Sequence, residues 1–573
     1  LRDSATTIAE VKEATEQTTG RKVREARLAV ELEEQLSKTQ ILEAYLNRAY
    51  FGHRAYGIFA AAEIFFSKRP ADLNLSESAT LAGLVQAPSA YDPATRDQTA
   101  ATNRRNWVID RMVELGYISE QVASEDKKKP IALSLTEPPN DCVSVPRARN
   151  DTGFFCDLFR HWWMSQPVFG DTPLQREDQL RRGGYKIVTS LDPDIQAVAQ
   201  RHVVAKERVG SPYAHGAVVV EPGTGLVKAM AVNRRYSLDQ TDNGLHTDQR
   251  RAGLVASNYP NTVNPLLGGG DMPGYQAGST FKWFVMLAAL DAGMPLSTKI
   301  SAPRRYVSRY PSGPGEPASC GLRWCPENAS AAMTGTHTIW QGFGKSVNTF
   351  FVQLQERVGA ENAVRMAEKL GLRWRTGIDQ TMASPERANG WGAFTLGVAD
   401  TTPLEMANAY AVGASEGMYC RPLPVLSIKD ANGDEVTYEN REGEQVRVTD
   451  PRCRRVVSQE VARAATDAAR CPTGYGAARG SCGSWSTAGG VADTVGRPVA
   501  GKTGTTDGNR TAWFIGFTPE LAVASFTADP DNPFHAVGAG RSQQSVQSAS
   551  EILRDALRGE PVSRFTPPSA LVR

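Results

Sequence analysis

Gly278 to Gly293 reads GSTFKWFVMLAALDAG. A small polar turn runs into a long apolar stretch that stops on glycine, the pattern of a buried helix with Ser279 and Lys282 on its opening turn. Three residues apart on a helix, hydroxyl and amine share one face. A serine hydroxyl becomes a nucleophile at neutral pH only with a base in hydrogen-bond reach, and a lysine serves when its surroundings depress its pKa. Free N–H groups at the start of the helix also offer donors to a developing oxyanion.

An SxxK pair alone is weak evidence. A second copy, Ser124 and Lys127, falls in the charged run SEDKKKP and reads as solvated surface. Two further elements give the first its meaning. Ser346-Val347-Asn348 is the only SxN in the chain. In an extended or turn segment its hydroxyl and carboxamide project to one side, the first to relay a proton and the second to hold a substrate carbonyl. On its own it would equally be a polar turn after Gly344. KTGTT, Lys502 to Thr506, is the only KTG. Gly504 lets a substrate backbone approach a strand closely, Lys502 supplies positive charge, and the hydroxyls of Thr503 and Thr505 suit a substrate carboxylate. The bland reading is a tight turn before TAWFIGF. In this order, SxxK opening a helix, then SxN, then KTG before a terminal hairpin, the three define an acyl-transferring serine site.

Strand patterns flank this core. KIVTSLD begins at Lys186, AVVVEPGTGLVKAMAV (Ala217–Val232) reads as two strands around a Pro-Gly-Thr-Gly turn, and WFIGFTPELAVASFTA (Trp513–Ala528) as a second hairpin. Strands at both ends with helices between predict one α/β unit closing on itself. From Arg21 to about Met112 the pattern is helical, with Leu28, Leu32 and Leu36 at four-residue spacing and Ser37 placed to cap the next helix. A mixed stretch from Ser119 to Gly183, including Glu137 to Asp141, reads as a linker or small connecting domain.

The bulk numbers exclude some classes. The 573 residues exceed one ordinary core and predict two or three units. With 64 basic against 62 acidic residues, the charge of +2 asks for no nucleic-acid partner. No apolar run is long enough to span a membrane, and no signal peptide or HExxH or CxxC metal motif appears. The chain opens on Leu1 in an amphipathic pattern and reads as a piece of a longer protein. Eight cysteines fall as sequence neighbours, which predicts the disulfides 142–156, 320–325, 420–453 and 471–482 in an extracytoplasmic compartment. Eight reduced, partly buried thiols are the alternative.

GSTFK, KSVN and KTGTT, with GGYKIVTSLDPDIQ and LGVADTTPLEMANAYA (Leu396–Ala411), make the chain strongly resemble the class A penicillin-binding proteins, the bifunctional peptidoglycan synthases. The resemblance implies a multidomain fold: a helical, lysozyme-like glycosyltransferase fragment, then a transpeptidase domain of five antiparallel strands flanked by helices with a helical subdomain. The boundaries expected are 1–118 for the glycosyltransferase part, 119–183 for the linker, 184–558 for the transpeptidase and 559–573 for a tail. GRKVREARLAVELE carries the family's RKxxE and implies Arg21, Lys22 and Glu25 at the lipid-diphosphate site; KTQILEAYLNRAYFG adds Asn47, and NRRNWVIDRM resembles the last glycosyltransferase motif. The family's first motif, a Glu-Asp pair followed by Phe and His that supplies the general base, is absent from these residues, so glycan polymerisation is expected of the full-length protein only.

In the transpeptidase the resemblance implies Ser279 as nucleophile and Lys282 as base, with Ser346 and Lys502 moving the leaving-group proton and the N–H groups of Ser279 and Thr505 as the oxyanion hole. It implies no cofactor for transpeptidation and a divalent cation for the full-length glycosyltransferase domain. The implied partners are peptidoglycan stem peptides, lipid II, β-lactam antibiotics and a membrane anchored through an N-terminal segment absent here, at the extracytoplasmic face. The cysteine pattern is similar to that of actinobacterial members. A β-lactamase, a D-Ala carboxypeptidase and a non-catalytic penicillin sensor share parts of this pattern; RKxxE and ILEAYLN speak against the first and the intact motifs against the last, whereas the carboxypeptidase stays open.

Overall fold

The computed structural model describes residues 19–570 apart from 53–54, 89, 95–97, 137–140, 146–150, 271, 314–317, 441 and 475–478. Glu137 to Asn140, singled out above, therefore lie outside the described residues. The chain forms two compact units. The smaller takes the residues up to Asp141 with Trp163–Lys186 and Lys429–Asp434; the larger takes Cys142–Trp162, Ile187–Ile428 and Glu435 onwards.

The smaller unit is helical: α1 (Thr19–Gln35), α2 (Lys38–Arg48), α3 (Ile58–Phe66), α4 (Leu75–Leu84), α5 (Thr99–Glu114) and α6 (Glu120–Lys127). Ser37 caps α2 in a full capping box with Gln40, and Asn74 does the same for α4 with Glu77. Its core gathers Phe51, Ile64, Phe65, Phe66, Leu81 and Leu84. Arg105, from the NRRNWVIDRM stretch, is fully buried and donates to the Ser76 hydroxyl at 3.1 Å and the Lys129 carbonyl at 2.8 Å, so it ties α4, α5 and the end of α6 together. Leu28 and Leu32 of the four-residue pattern stay exposed on α1.

The larger unit is built on five antiparallel strands, β1 (Ala214–Val220), β2 (Val227–Val232), β3 (Ala500–Thr505), β4 (Ala512–Phe517) and β5 (Ala522–Ala528), in the order β3-β4-β5-β1-β2. The hairpins read from the sequence are β1–β2 and β4–β5, and β5 zips to β1 with Ala522 opposite Val220 and Ala528 opposite Ala214. Period-two alternation divides the strands between two cores. Ala217, Val219, Phe514 and Val523 face α7 (Pro193–Lys206) and α13 (Arg541–Ala556). Val218, Val220, Ile515, Phe517 and Phe526 face α8 (Lys282–Asp291), α11 (Pro403–Ala414) and α12 (Gln459–Thr473). Burial on both faces explains why these strands read as continuous apolar runs. Between α8 and α11 lie α9 (Ile339–Gly344) and α10 (Asn348–Val358).

All eight cysteines are paired as sequence neighbours: 142 with 156, 320 with 325, 420 with 453 and 471 with 482. Cys420 and Cys453 stand directly opposite one another on an antiparallel strand pair. Beyond Leu557, Phe565 packs edge-on against Phe517 of β4.

Candidate active site

Ser279 sits in a single 3₁₀ turn, Gly278–Phe281, and the α-helix begins only at Lys282. The tighter winding improves the predicted pairing, because side chains three apart eclipse in a 3₁₀ helix. The Lys282 amine donates to Ser279 Oγ at 2.9 Å. It also reaches the Ser346 carbonyl at 2.7 Å, Ser346 Oγ at 3.1 Å and Asn348 Oδ1 at 2.7 Å.

The SxN segment is a break between helices, not an extended run. Ser346 follows α9 with φ of 58°, a left-handed conformation for a residue with a Cβ, and Asn348 opens α10. Holding such a residue there costs on the order of 1–3 kcal/mol. The kink turns both the carbonyl and the hydroxyl of Ser346 onto Lys282. Asn348 spends its carboxamide within the protein, with the oxygen on Lys282 and the nitrogen on the Glu327 carbonyl at 2.9 Å.

KTG lies on β3, the edge of the sheet, with β4 as its one sheet neighbour. Lys502 is fully buried; its amine donates to Ser346 Oγ at 2.8 Å and to the Thr503 carbonyl at 2.9 Å. Lys282, Ser346 and Lys502 thus form one hydrogen-bonded chain that starts at the Ser279 hydroxyl. Gly504 is needed where it stands, since a Cβ there would collide with the Ala277 carbonyl and meet Thr280 Cγ2 at 2.8 Å. Thr503 is nearly buried and Thr505 is exposed.

Both amines are lowered well below the ordinary lysine range. Burial is the larger cause for Lys282, and the neighbouring Lys502 adds repulsion; burial alone brings Lys502 to about 7. Two aromatic rings, unseen in the sequence reading, line the pair: Phe351 under the Lys282 ammonium at 5.8 Å and Phe343 under that of Lys502 at 5.6 Å. Their spacing looks like ordinary helix core, so no motif could have marked them. Tyr410 is equally unmarked; its hydroxyl holds the Thr280 carbonyl at 2.7 Å and braces the turn that carries Ser279.

The other SxxK pair lies on α6, where Lys127 is paired with Asp110 at 2.6 Å. On α1, Glu25 is engaged by Arg21 and, at 2.9 Å, by Lys22, while Asn47 lies exposed near the end of α2. Among the described residues no group of three or more His, Cys, Asp or Glu is placed to hold a metal ion.

A half-buried serine against a buried lysine, a second serine between two lysines and an edge-strand lysine make the constellation of an active-site serine acyltransferase. Comparison with known proteins agrees over most of the chain. The transglycosylase family model matches residues 5–113, and the penicillin binding protein transpeptidase domain model matches residues 215–557. Penicillin-binding protein 1A of Aquifex aeolicus is 28% identical over 575 residues, covering 89% of this chain and 69% of that protein. Penicillin-binding protein 2D of Bacillus subtilis is 27% identical over 96% of this chain and 69% of its own length. The crystal structure of penicillin-binding protein 1A from Haemophilus influenzae superposes with a TM-score of 0.61 at 20% identity, over 97% of this chain and 88% of that one. The chain belongs to the class A penicillin-binding proteins, bifunctional enzymes of peptidoglycan synthesis that join a glycosyltransferase to a D,D-transpeptidase.

Proposed function

We propose that Ser279 is the transpeptidase nucleophile and Lys282 its base, and that the site is acylated by β-lactams as well as by stem peptides. The observation that carries this is the Lys282 amine, fully buried and 2.9 Å from Ser279 Oγ. Burial and Lys502 leave that amine neutral well below the usual lysine range, so it accepts the hydroxyl proton as Ser279 Oγ attacks the carbonyl carbon of the penultimate D-Ala. The oxyanion forms between the N–H groups of Ser279 and Thr505, at roughly 3–4 kcal/mol per donor in serine enzymes. The C–N bond then breaks, and terminal D-Ala departs as its amine takes a proton handed along Lys282, Ser346 and Lys502. An amine of a neighbouring stem attacks the ester, its proton returns by the same path, and Ser279 is freed. Thr503 and Thr505 hold the substrate carboxylate, and Gly504 admits its backbone beside the edge strand.

Arg21, Lys22, Glu25 and Asn47 belong, by the same proposal, to the lipid II site of the glycosyltransferase part, with the protein held at the extracytoplasmic face of the membrane. Intact mass after benzylpenicillin treatment tests the central claim. One adduct, located at Ser279 by peptide mapping and absent from Ser279→Ala, is expected; an adduct on Ser124, or none, would refute it.

A further inference from the structure

The helix that carries Asn348 lacks a cap of its own. Asn348 is the first residue of α10, and Val347 at the N-cap position has no side-chain acceptor to offer. The first N–H groups of a helix need partners, and an N-cap oxygen ordinarily takes that of the second or third residue. Here the oxygen comes from a distant segment. Asn328 Oδ1 accepts from the Thr349 N–H at 3.0 Å. The Thr349 hydroxyl, which donates to the Pro303 carbonyl at 2.7 Å, lies 3.2 Å from the same oxygen.

Asn328 is buried, and its remaining groups are committed: its N–H donates to the Arg304 carbonyl at 2.9 Å and its Nδ2 to the Pro303 carbonyl at 3.1 Å. The residue before it supplies the carbonyl that takes Asn348 Nδ2. Glu327 and Asn328 together form a shelf beneath the first turn of α10. The shelf is itself anchored, since the Pro326 carbonyl accepts from Tyr306 N–H at 3.1 Å and the preceding hairpin is closed by the Cys320–Cys325 disulfide.

We propose that Asn328 is a positioning residue for acyl transfer, an N-cap supplied from outside the helix that keeps Asn348 turned onto Lys282. The argument is geometric. With its nitrogen held by Glu327, the Asn348 carboxamide has its oxygen fixed toward the Lys282 amine at 2.7 Å, and that amine also reaches Ser279. If the first turn of α10 frays, the carboxamide is free to rotate, and the amine loses one of the acceptors that aim it. Misplacements of this size in an active site cost about a hundredfold in rate.

The inference rests on the acyl-transfer reading, and the experiment separates the two. Stopped-flow acylation by benzylpenicillin, followed against concentration, gives the non-covalent dissociation constant and the first-order acylation rate separately. If the wild-type chain is not acylated, the acyl-transfer reading fails first. With wild type acylated, Asn328→Ala is expected to lower the first-order rate about tenfold to a hundredfold with the dissociation constant within about threefold. Asn328→Asp keeps the acceptor oxygen for the Thr349 N–H but gives up the Nδ2 donation to the Pro303 carbonyl, and is expected to restore part of the rate lost in Asn328→Ala. An Asn328→Ala protein that melts at a lower temperature but acylates at the wild-type rate would overturn the proposal and leave Asn328 a purely structural residue. Should Asn328→Ala fail to fold, Asn328→Ser, whose shorter side chain loses the reach to the Thr349 N–H, decides: a lowered first-order rate with the dissociation constant kept supports the positioning role, and a wild-type rate overturns it.

Discussion

Two fully buried lysines lie within reach of one serine hydroxyl, and the repulsion between them has a use. Lys502 disfavours the charge on Lys282, so burial and proximity together favour a neutral amine there at a pH where free lysine is an ammonium. Lys282→Ala is expected to slow benzylpenicillin acylation by at least about a hundredfold, the low end for a lost general base. The pH profile gives a sharper test. Acylation needs the neutral amine, so its rate rises with pH through the titration of Lys282. Removing the neighbouring charge with Lys502→Met lets the Lys282 pKa rise, and the acidic limb should move to higher pH; a limb that stays put or moves down would show that Lys502 does not act on the base. At this scale the sequence was informative where chemistry demands a residue type: Ser279, Lys282, Ser346, Asn348 and Lys502 converge. It was silent where any side chain of suitable shape would do, as at Phe343 and Phe351. It was also silent on Asn328, because a cap borrowed from a distant segment leaves no mark at helical spacing.

A catalytic turn pressed against a sheet edge requires an element with no side chain at one place. Gly504 faces the Ala277 carbonyl, and Gly278, at φ of 58°, brings its α-carbon against the Thr505 backbone. An added methyl on β3 would wedge the turn away from the strand and close the gap that strand addition needs. Gly504→Ala is therefore expected to reduce acylation by fluorescent penicillin on a gel by about tenfold or more while the far-ultraviolet circular dichroism is retained. Undiminished labelling would mean that the turn shifts freely. The hairpins β1–β2 and β4–β5 were legible from alternation and turn chemistry, since both are local. β3 was harder to see: AGKTGT has little β-branched or aromatic character, and it is strand because it pairs with β4 across a six-residue ladder from Ala500 to Thr505. The SxN segment, open between extended and turn in the sequence, is a turn, and what the sequence could not show is the left-handed backbone of Ser346 between two helices.

At the scale of the molecule, each unit has a core of its own, and the larger one contains the nucleophile, both lysines and a buried histidine. His215 on β1 is fully buried between Thr527 Oγ1 at 2.9 Å and Ser548 Oγ at 2.7 Å, and burial holds its pKa down at about 4 against 6.5 when free. A folded pKa below the unfolded one gives stability that is present above about pH 6.5 and is lost as pH falls toward 4. The difference is on the order of 3 kcal/mol. His161 has the opposite sign. Beside Asp157 it is raised to about 9, so its contribution is full below pH 6.5 and fades as pH climbs through 9. Asp400, which burial and the neighbouring Asp379 raise to about 7, opposes His215 as pH falls from 7 to 4, so the histidine's share shows only against a variant that lacks it; all three groups lie in the larger unit. Calorimetry across pH should therefore show the transition of the larger unit losing several degrees more in the wild type than in His215→Gln between about pH 6.5 and 4. On the proposed mechanism benzylpenicillin acylates the folded larger unit, and it should raise that same transition and leave the other where it was. His215→Gln should flatten the acid dependence of that transition without abolishing the penicillin shift. If penicillin moved the transition that is indifferent to His215, the assignment of the acyl site and the histidine to one cooperative unit would be wrong.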